Sequence, residues 1–297
     1  MIQTKGERIF VLFSAVAMVL LTIFAFVPFI LILVASFTDE SMLIRDGYSF
    51  FPVKWSLDAY AYMVSSASTF LRSYGVSFLV TILGTAGGLL ISSMLAYPMS
   101  RKDFKYHNAL AFIVFFTMLF SGGIVPSYIM WTKYMHIKDT LAALIVPNLL
   151  TNGFYVLLIR NYYKNNVPAE LIEAAQIDGA SELRTFFRIM LPLSVPVMAT
   201  VGLFMGLAYW NDWINALYFI TKPQYYGIQN MLIRLMNNIQ FLKSGQAGSV
   251  IGAGTVELPS TAIRMAMAVI GILPIVIVLP FLQKYLTKGV VIGAVKG

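Results

Sequence analysis

The chain has 297 residues, 59% of them hydrophobic and only 11% charged, with a mean hydropathy of +0.77. Soluble domains carry roughly 25% charged residues, so this composition excludes a soluble protein. There is no cysteine, and the two histidines, His107 and His136, are far apart in sequence; a disulfide scaffold, a thiolate site, a Cys nucleophile and a His-based metal cluster are excluded. The net charge of +8 reads as Lys and Arg flanking membrane spans, not as a nucleic-acid footprint.

A bilayer core of about 30 Å takes about 20 apolar residues in a helix. The pattern predicts an all-α integral membrane protein with six transmembrane helices, over 9–37, 75–99, 108–131, 140–160, 190–220 and 262–285. The first follows Lys5 and Arg8, the layout of a signal peptide. Its apolar run exceeds the roughly 7–15 residues of such a segment and no small-residue cleavage site follows, so it is expected to stay as a span. Pro28 inside it predicts a kink. The second holds Gly84, Gly87, Gly88, Ser92 and Ser93, small residues that let helices approach closely in lipid.

Between spans, residues 53–74 carry Trp55, Tyr60, Tyr62 and Phe70 and predict an ordered interfacial helix. In 228–242, Ile228, Met231, Leu232, Leu235 and Ile239 share one helical face, which predicts a helix on the outer membrane surface. The glycine-rich stretch 245–254 lacks the strand-to-helix context and the G-K-[ST] of a phosphate loop and reads as flexible. Basic residues are densest at the N-terminus (Lys5, Arg8), around 101–105, over 160–188 and in the C-terminal tail. That side is expected to be cytoplasmic, although Lys133 and Lys138 run against the rule. The expected organisation is a cytoplasmic N-terminus (1–8), a first span with its outer loop (9–74), a five-helix core (75–285) containing the cytoplasmic loop 161–189, and a cytoplasmic tail (286–297).

Residues 170–192 form a polar island, E-L-I-E-A-A-Q-I-D-G-A-S-E-L-R-T-F-F-R-I-M-L-P. The run predicts two short amphipathic helices hinged at Gly179. Ala174 and Ala175 are small enough for a helix to lie flat in a partner's groove. Glu173 and Asp178 offer charge to a partner. Leu171, Ile172, Leu183, Phe186 and Phe187 form apolar patches too large to leave bare in water. A loop resting on lipid headgroups accounts for the amphipathicity but not for the spacing. No G-x-x-x-x-G-K-[ST] occurs anywhere, so the chain has no cradle for a triphosphate.

The spacing E-A-A, three residues, G, nine residues, I, one residue, L-P is filled by Glu173, Ala174, Ala175, Gly179, Ile189, Leu191 and Pro192. It resembles the EAA loop of permease subunits of bacterial ABC importers, including I-D-G-A-S at 177–181. The approach over 154–168 and the tail K-G-V-V-I-G-A-V-K-G at 288–297 are also similar, so the likeness covers nearly the whole chain. The chain is similar to maltose-type carbohydrate permeases of the second-permease type, in the branch of a lipoprotein-associated sugar transporter. The resemblance implies a transport subunit of the bacterial cell membrane, not an enzyme, working by alternating access. It implies that Glu173, Ala174, Ala175, Asp178, Gly179 and Ala180 couple to an ATPase. Implied partners are a second homologous permease, two ATPase subunits that carry ATP and Mg, and an extracytoplasmic carbohydrate-binding protein; this chain itself binds no cofactor.

Two groups are candidates for the solute path. Asn148 and Asn152 stand at i, i+4 in the fourth span, and on one helical face they either line a polar strip or glue helices together. Trp210, Asn211 and Asp212, with Trp213, close the fifth span as interfacial belt residues or as an outer gate with aromatic faces suited to sugar rings. Arg264 is expected to snorkel. Import of a non-sugar solute is the alternative reading. A membrane enzyme acting on lipid-linked sugars is a remote one, since Asp212 is the sole carboxylate in the predicted spans.

Overall fold

The computed structural model describes residues 5–147, 149–243 and 260–294, and these are helical, with one isolated antiparallel bridge, Thr38 to Trp55, and no strand among the described residues. In chain order the helices are α1 (Lys5–Ser36), α2 (Glu40–Arg45), α3 (Asp58–Ser65), α4 (Ala67–Ser100), α5 (His107–Leu119), α6 (Ile124–Ile129), α7 (Ala142–Ile145), α8 (Gly153–Asn166), α9 (Ala169–Ile177), α10 (Glu182–Thr185), α11 (Leu191–Leu193), α12 (Val195–Trp210), α13 (Ile214–Phe219), α14 (Ile228–Lys243) and α15 (Ser260–Ala294). Wider π-type turns continue α6 over Met130–Tyr134 and α10 over Phe186–Met190.

Among the described residues, three helical stretches are long and apolar enough to cross a membrane: Ile9–Ser36, Ala67–Ser100 and Thr261–Val278. Two bent pairs reach the same apolar length when each is taken as one crossing. His107–Leu119 turns by 111° into Ile124–Tyr134, and Glu182–Leu193 turns by 80° into Val195–Trp210. The straight helices match the first, second and sixth predicted spans, and α1 runs unbroken through Pro28.

The other three predicted spans are corrected. The helix expected over 108–131 stops where Phe120 turns extended (φ −120°, ψ 118°) and Gly123 takes φ +83°. The helix expected over 190–220 bends at Ser194 and ends at Trp210, ahead of α13. The helix expected over 140–160 is not continuous: α7 ends at Ile145 and α8 starts only at Gly153. Pro147 has no N–H to extend α7. Asn152 adopts extended geometry (φ −117°, ψ 124°) and its Oδ1 accepts the Phe154 N–H at 2.9 Å, a helix N-cap. Asn152 therefore starts a helix where the prediction placed it inside one, and Asn148 lies outside the described residues. The predicted 245–254 stretch lies outside them as well.

The chain divides into two compact units, Met1–Ser68 with Arg234–Pro274, and Thr69–Ile233 with Ile275–Gly297. In the first, the Phe37 and Tyr60 rings stack at 4.7 Å and Ser36 Oγ lies 2.8 Å from the Tyr60 hydroxyl. Asp39 caps α2 and pairs with Lys54 at 2.7 Å, which holds its pKa down at about 2. Glu40 reaches across the sequence to accept the Thr261 and Ala262 N–H groups at 2.8–2.9 Å, so a carboxylate satisfies the first orphan donors of α15.

The second unit holds two apolar clusters. One gathers Ala96, Tyr97 and Met99 of α4, Val156, Ile159 and Tyr163 of α8, Phe186 and Met190, and Val197, Val201 and Met205 of α12. The other joins Val80 to Ala143, Leu144, Tyr209, Ala216, Phe219 and Ile220. The predicted small-residue face of α4 is where α12 comes closest. A Cβ at Gly84 would overlap the Tyr209 ring, and one at Gly88 would lie 3.2 Å from Met205 Sδ and 3.1 Å from the Leu150 carbonyl. Tyr209 cannot swing aside freely, because its hydroxyl donates to the Ile145 carbonyl at 2.9 Å. Of the face predicted for 228–242, Ile228, Met231 and Leu232 of α14 are buried and Leu235 is half-buried, with Ser77 Oγ accepting the Ile228 N–H at 2.8 Å; the Ile239 side chain lies outside the described residues.

Candidate functional site

The polar island folds as two short helices around a tight turn. Pro168 precedes α9 in extended geometry. At the other end, Gly179 N–H donates to Gln176 O at 3.0 Å and Ala180 N–H to Ala175 O at 2.9 Å, the paired bonds of a Schellman C-cap. That cap requires a left-handed residue, and Gly179 supplies φ +73°. Ser181 then caps α10 by accepting the Arg184 N–H.

The turn sorts the side chains. Ala175 is buried and Ile172 packs on the cluster of α4, α8 and α12, while Glu173, Ala174, Asp178 and Gly179 are exposed and Ala180 is half-buried. The two alanines thus have different jobs: Ala175 lets α9 lie on its own protein, and Ala174 faces outward. The apolar patch differs from expectation too. Phe186 is internal, its ring 5.6 Å from that of Tyr97. Leu171, Leu183 and Phe187 remain exposed, joined by Ile177, which is 86% exposed. That aliphatic side chain stands beside exposed Glu173 and Ala174.

The second set of candidates sits at the far end of α12. The 16 residues of α12 span about 24 Å along its axis. Trp210 is buried, with Phe78 at 5.1 Å and Tyr74 at 6.1 Å, so its ring faces are occupied by this chain and are not offered to a solute. Asn211 bonds back to Leu207 O at 2.9 Å. Asp212 accepts the Ile214 and Asn215 N–H groups at 3.1 Å and so starts α13. Trp213 is 38% exposed.

Beside α13 the structure has a cavity of about 270 Å³ that the sequence did not reveal. Ser121, Gly123, Ile124, Ser127 and Tyr128 line one side, and Ile214, Asn215, Tyr218 and Phe219 the other. The break after Phe120 and the break at Asn211–Trp213 open it, and neither is visible in an apolarity profile. The Tyr128 and Phe219 rings stack at 5.9 Å. Asp139 fixes the end of α13: its N–H donates to Phe219 O at 3.0 Å, and its carboxylate accepts from Thr221 Oγ1 at 2.7 Å and the Lys222 N–H at 3.0 Å, bonds that hold its pKa below the usual carboxylate value. Buried Asn215 donates to Pro147 O at 2.9 Å and so ties the cavity wall to the interrupted segment between α7 and α8. That carbonyl also accepts the Leu149 N–H at 2.8 Å, so Asn215→Ala removes one of its two bonds and is expected to lower stability by about 0.5–1.5 kcal/mol, read as a lower melting temperature of the detergent-solubilised protein; an unchanged melting temperature would mean that the Leu149 bond alone suffices. Among the described residues no group of three His, Cys, Asp or Glu side chains is placed to hold a metal ion.

The family profile described as "binding-protein-dependent transport system inner membrane component" matches residues 88–292, which include α9, Gly179 and α10. Protein LplC of Bacillus subtilis is 39% identical over 99% of this chain and 97% of its own length. The polygalacturonan/rhamnogalacturonan transport system permease YtcP of the same organism is 38% identical over 91% of this chain and 92% of its own. A crystal structure of a bacterial ABC transporter involved in import of the acidic polysaccharide alginate contains a chain of like fold, with a TM-score of 0.78 at 24% identity, covering 96% of this chain and 99% of that one. A profile spanning well over half the sequence, with the helix–glycine–helix turn inside it, settles the family: this chain belongs to the binding-protein-dependent transport system inner membrane components, and is a transport subunit rather than an enzyme.

Proposed function

We propose that the chain is one of two permease subunits of an ABC importer that moves a carbohydrate, and that α9, Gly179 and α10 are the platform on which an ATPase subunit docks. The observation that carries the docking role is the sorting of the EAA run: Ile172 and Ala175 anchor it inward, while Glu173, Ala174 and Ile177 are left for a partner. The ATPases hold ATP and Mg, since this chain has no phosphate loop. Six crossings fit this reading when the first bent pair, α12 and the interrupted α7–α8 segment each count as one. Both termini and the platform then face the cytoplasm, with the basic residues. A second homologous permease covers the bare apolar faces, and an extracytoplasmic binding protein delivers the solute to the outer side.

Carbohydrate is favoured by a relative named for polygalacturonan and rhamnogalacturonan transport at 38% identity, and by the character of the α13 cavity. The exposed Tyr218 ring with the Ser121 and Ser127 hydroxyls suits a sugar ring, which is apolar on its faces and polar at its rim. Tyr218→Ala is expected to weaken uptake about tenfold through a higher apparent KM, with ATPase binding unchanged. The defining experiment reconstitutes the complex with its binding protein in proteoliposomes and measures ATP-dependent uptake across neutral and uronate-containing oligosaccharides. Stimulation by a peptide or phosphate ester, and by no sugar, would replace the carbohydrate reading.

A further inference from the structure

Arg101 follows the last residue of α4 and is a minor member of a basic cluster in the sequence. In the structure its side chain is only 9% exposed. Nη1 donates to Glu182 Oε2 at 2.6 Å and to the Tyr97 hydroxyl at 2.9 Å. The Tyr97 hydroxyl donates to the same Glu182 oxygen at 2.7 Å. Asp103 takes the other edge of the guanidinium, accepting from Nε at 2.8 Å and pairing with Nη2. On the far side of Glu182, Gln176 Nε2 lies 3.5 Å from Oε1. One planar guanidinium therefore joins α4 to the first residue of α10, with the last turn of α9 alongside.

Paired charges in open water contribute little. Here the guanidinium is covered while Asp103 and Glu182 are each 61% exposed, so the link is set by the arginine's rigid fork, held on two edges at once. The position matters as well. At nine residues α9 is too short to be stiff on its own, so the rigidity of the platform comes from what it is fastened to. One fastening is covalent: α10 runs through Phe186–Met190 and α11 to Ser194, where α12 starts. Arg101 provides the other, to α4. Farther along, α4 and α12 are locked by Tyr209 over Gly84 and by Met205 against Gly88. The α4 terminus is itself gripped from α8, where Arg160 Nε donates to Met99 O at 3.0 Å.

We propose that the Arg101–Tyr97–Glu182 cluster is a transmission pin: it makes the platform drive α4 and α12 as one body, so that ATPase closure is spent on moving the permease and not on flexing the loop. Arg101 acts through α4 and touches neither ATP nor solute, so it is a positioning residue. The inference rests on the docking role given to α9 and α10 above.

The test uses the reconstituted complex and reads solute moved per ATP hydrolysed. In Arg101→Met, the ATPase subunits are expected to co-purify as in the wild type, with binding-protein-stimulated hydrolysis retained. Solute per ATP should fall about fivefold or more. The double variant with Tyr97→Phe should be no worse than Arg101→Met alone, because both cut one link. Tyr97→Phe, which keeps the ring on Phe186 and removes only the hydroxyl, should shift the ratio in the same direction. A wild-type ratio in the single variants overturns the pin. So does loss of the ATPase subunits, which would reduce the cluster to a shaper of the docking face, or losses that multiply in the double variant. A wild-type complex that moves no solute would instead remove the importer reading on which the pin rests.

Discussion

Gly179→Pro is expected to abolish uptake while leaving the protein in the membrane. Proline fixes φ near −65° and has no N–H, whereas this position holds φ +73° and donates to Gln176 O. Both bonds of the Schellman cap depend on that geometry, so α9 frays and α10 loses its angle to it. Nothing lies within 4 Å of a Cβ built at Gly179, so the penalty comes from the backbone and not from crowding. Gly179→Ala therefore separates the two causes: it meets no clash but keeps the conformational strain, costing of order 1 kcal/mol, and should impair docking only partly. Glu173→Lys alters the exposed face without touching the cap and should also block ATPase binding, measured by co-purification. Normal transport by both Gly179→Pro and Glu173→Lys would remove the turn from the mechanism.

Gly84→Leu should be the most damaging change in the membrane core. The Tyr209 ring occupies the space where even a Cβ would stand, and the Tyr209–Ile145 bond pins it there. Overpacking a well-filled site costs about 1–3 kcal/mol for modest insertions, and an isobutyl group exceeds that by parting α4 from α12. The expected result is loss of monodisperse protein in size-exclusion chromatography, with Gly84→Ala intermediate. Gly75 on the same helix is the internal control: it has nothing within 4 Å of a built Cβ, so Gly75→Ala should be tolerated and can gain up to about 1 kcal/mol of helix propensity. Equal behaviour of the two alanine variants would contradict the close approach at Gly84.

The parts legible in the sequence were those written in local pattern. The long apolar runs of α1, α4 and α15, the one-faced helix α14 and the E-A-A…G spacing all depend on neighbours within a few residues. The interruption between α7 and α8 had its signals in Pro147 and in Asn152 before Gly153, but the surrounding apolarity outweighed them when only length was counted. Ala174 and Ala175 look alike in sequence, and only the direction of α9 against α8 and α12 tells the inward one from the outward one. Phe186 and Trp210 were read as surface aromatics because their partners, Tyr97 and Phe78, stand far away in the chain. The same is true of Arg101 with Glu182, of Glu40 at the start of α15, and of the cavity at Tyr128 and Tyr218. Each of these is a long-range pairing, and no periodicity encodes it.

The docking claim can be tested directly because the chain has no cysteine of its own. Ile177→Cys places one thiol on the most exposed aliphatic position of the platform, and Tyr134→Cys places one at an exposed site on the opposite side in the proposed orientation. Membranes carrying the assembled complex are treated with a short bifunctional thiol reagent, against an ATPase subunit bearing single cysteines along its permease-facing groove. The account predicts a crosslink from position 177 whose yield changes on adding ATP, and none from position 134. A complex that imports its solute yet gives no crosslink from position 177 at any groove position would contradict it.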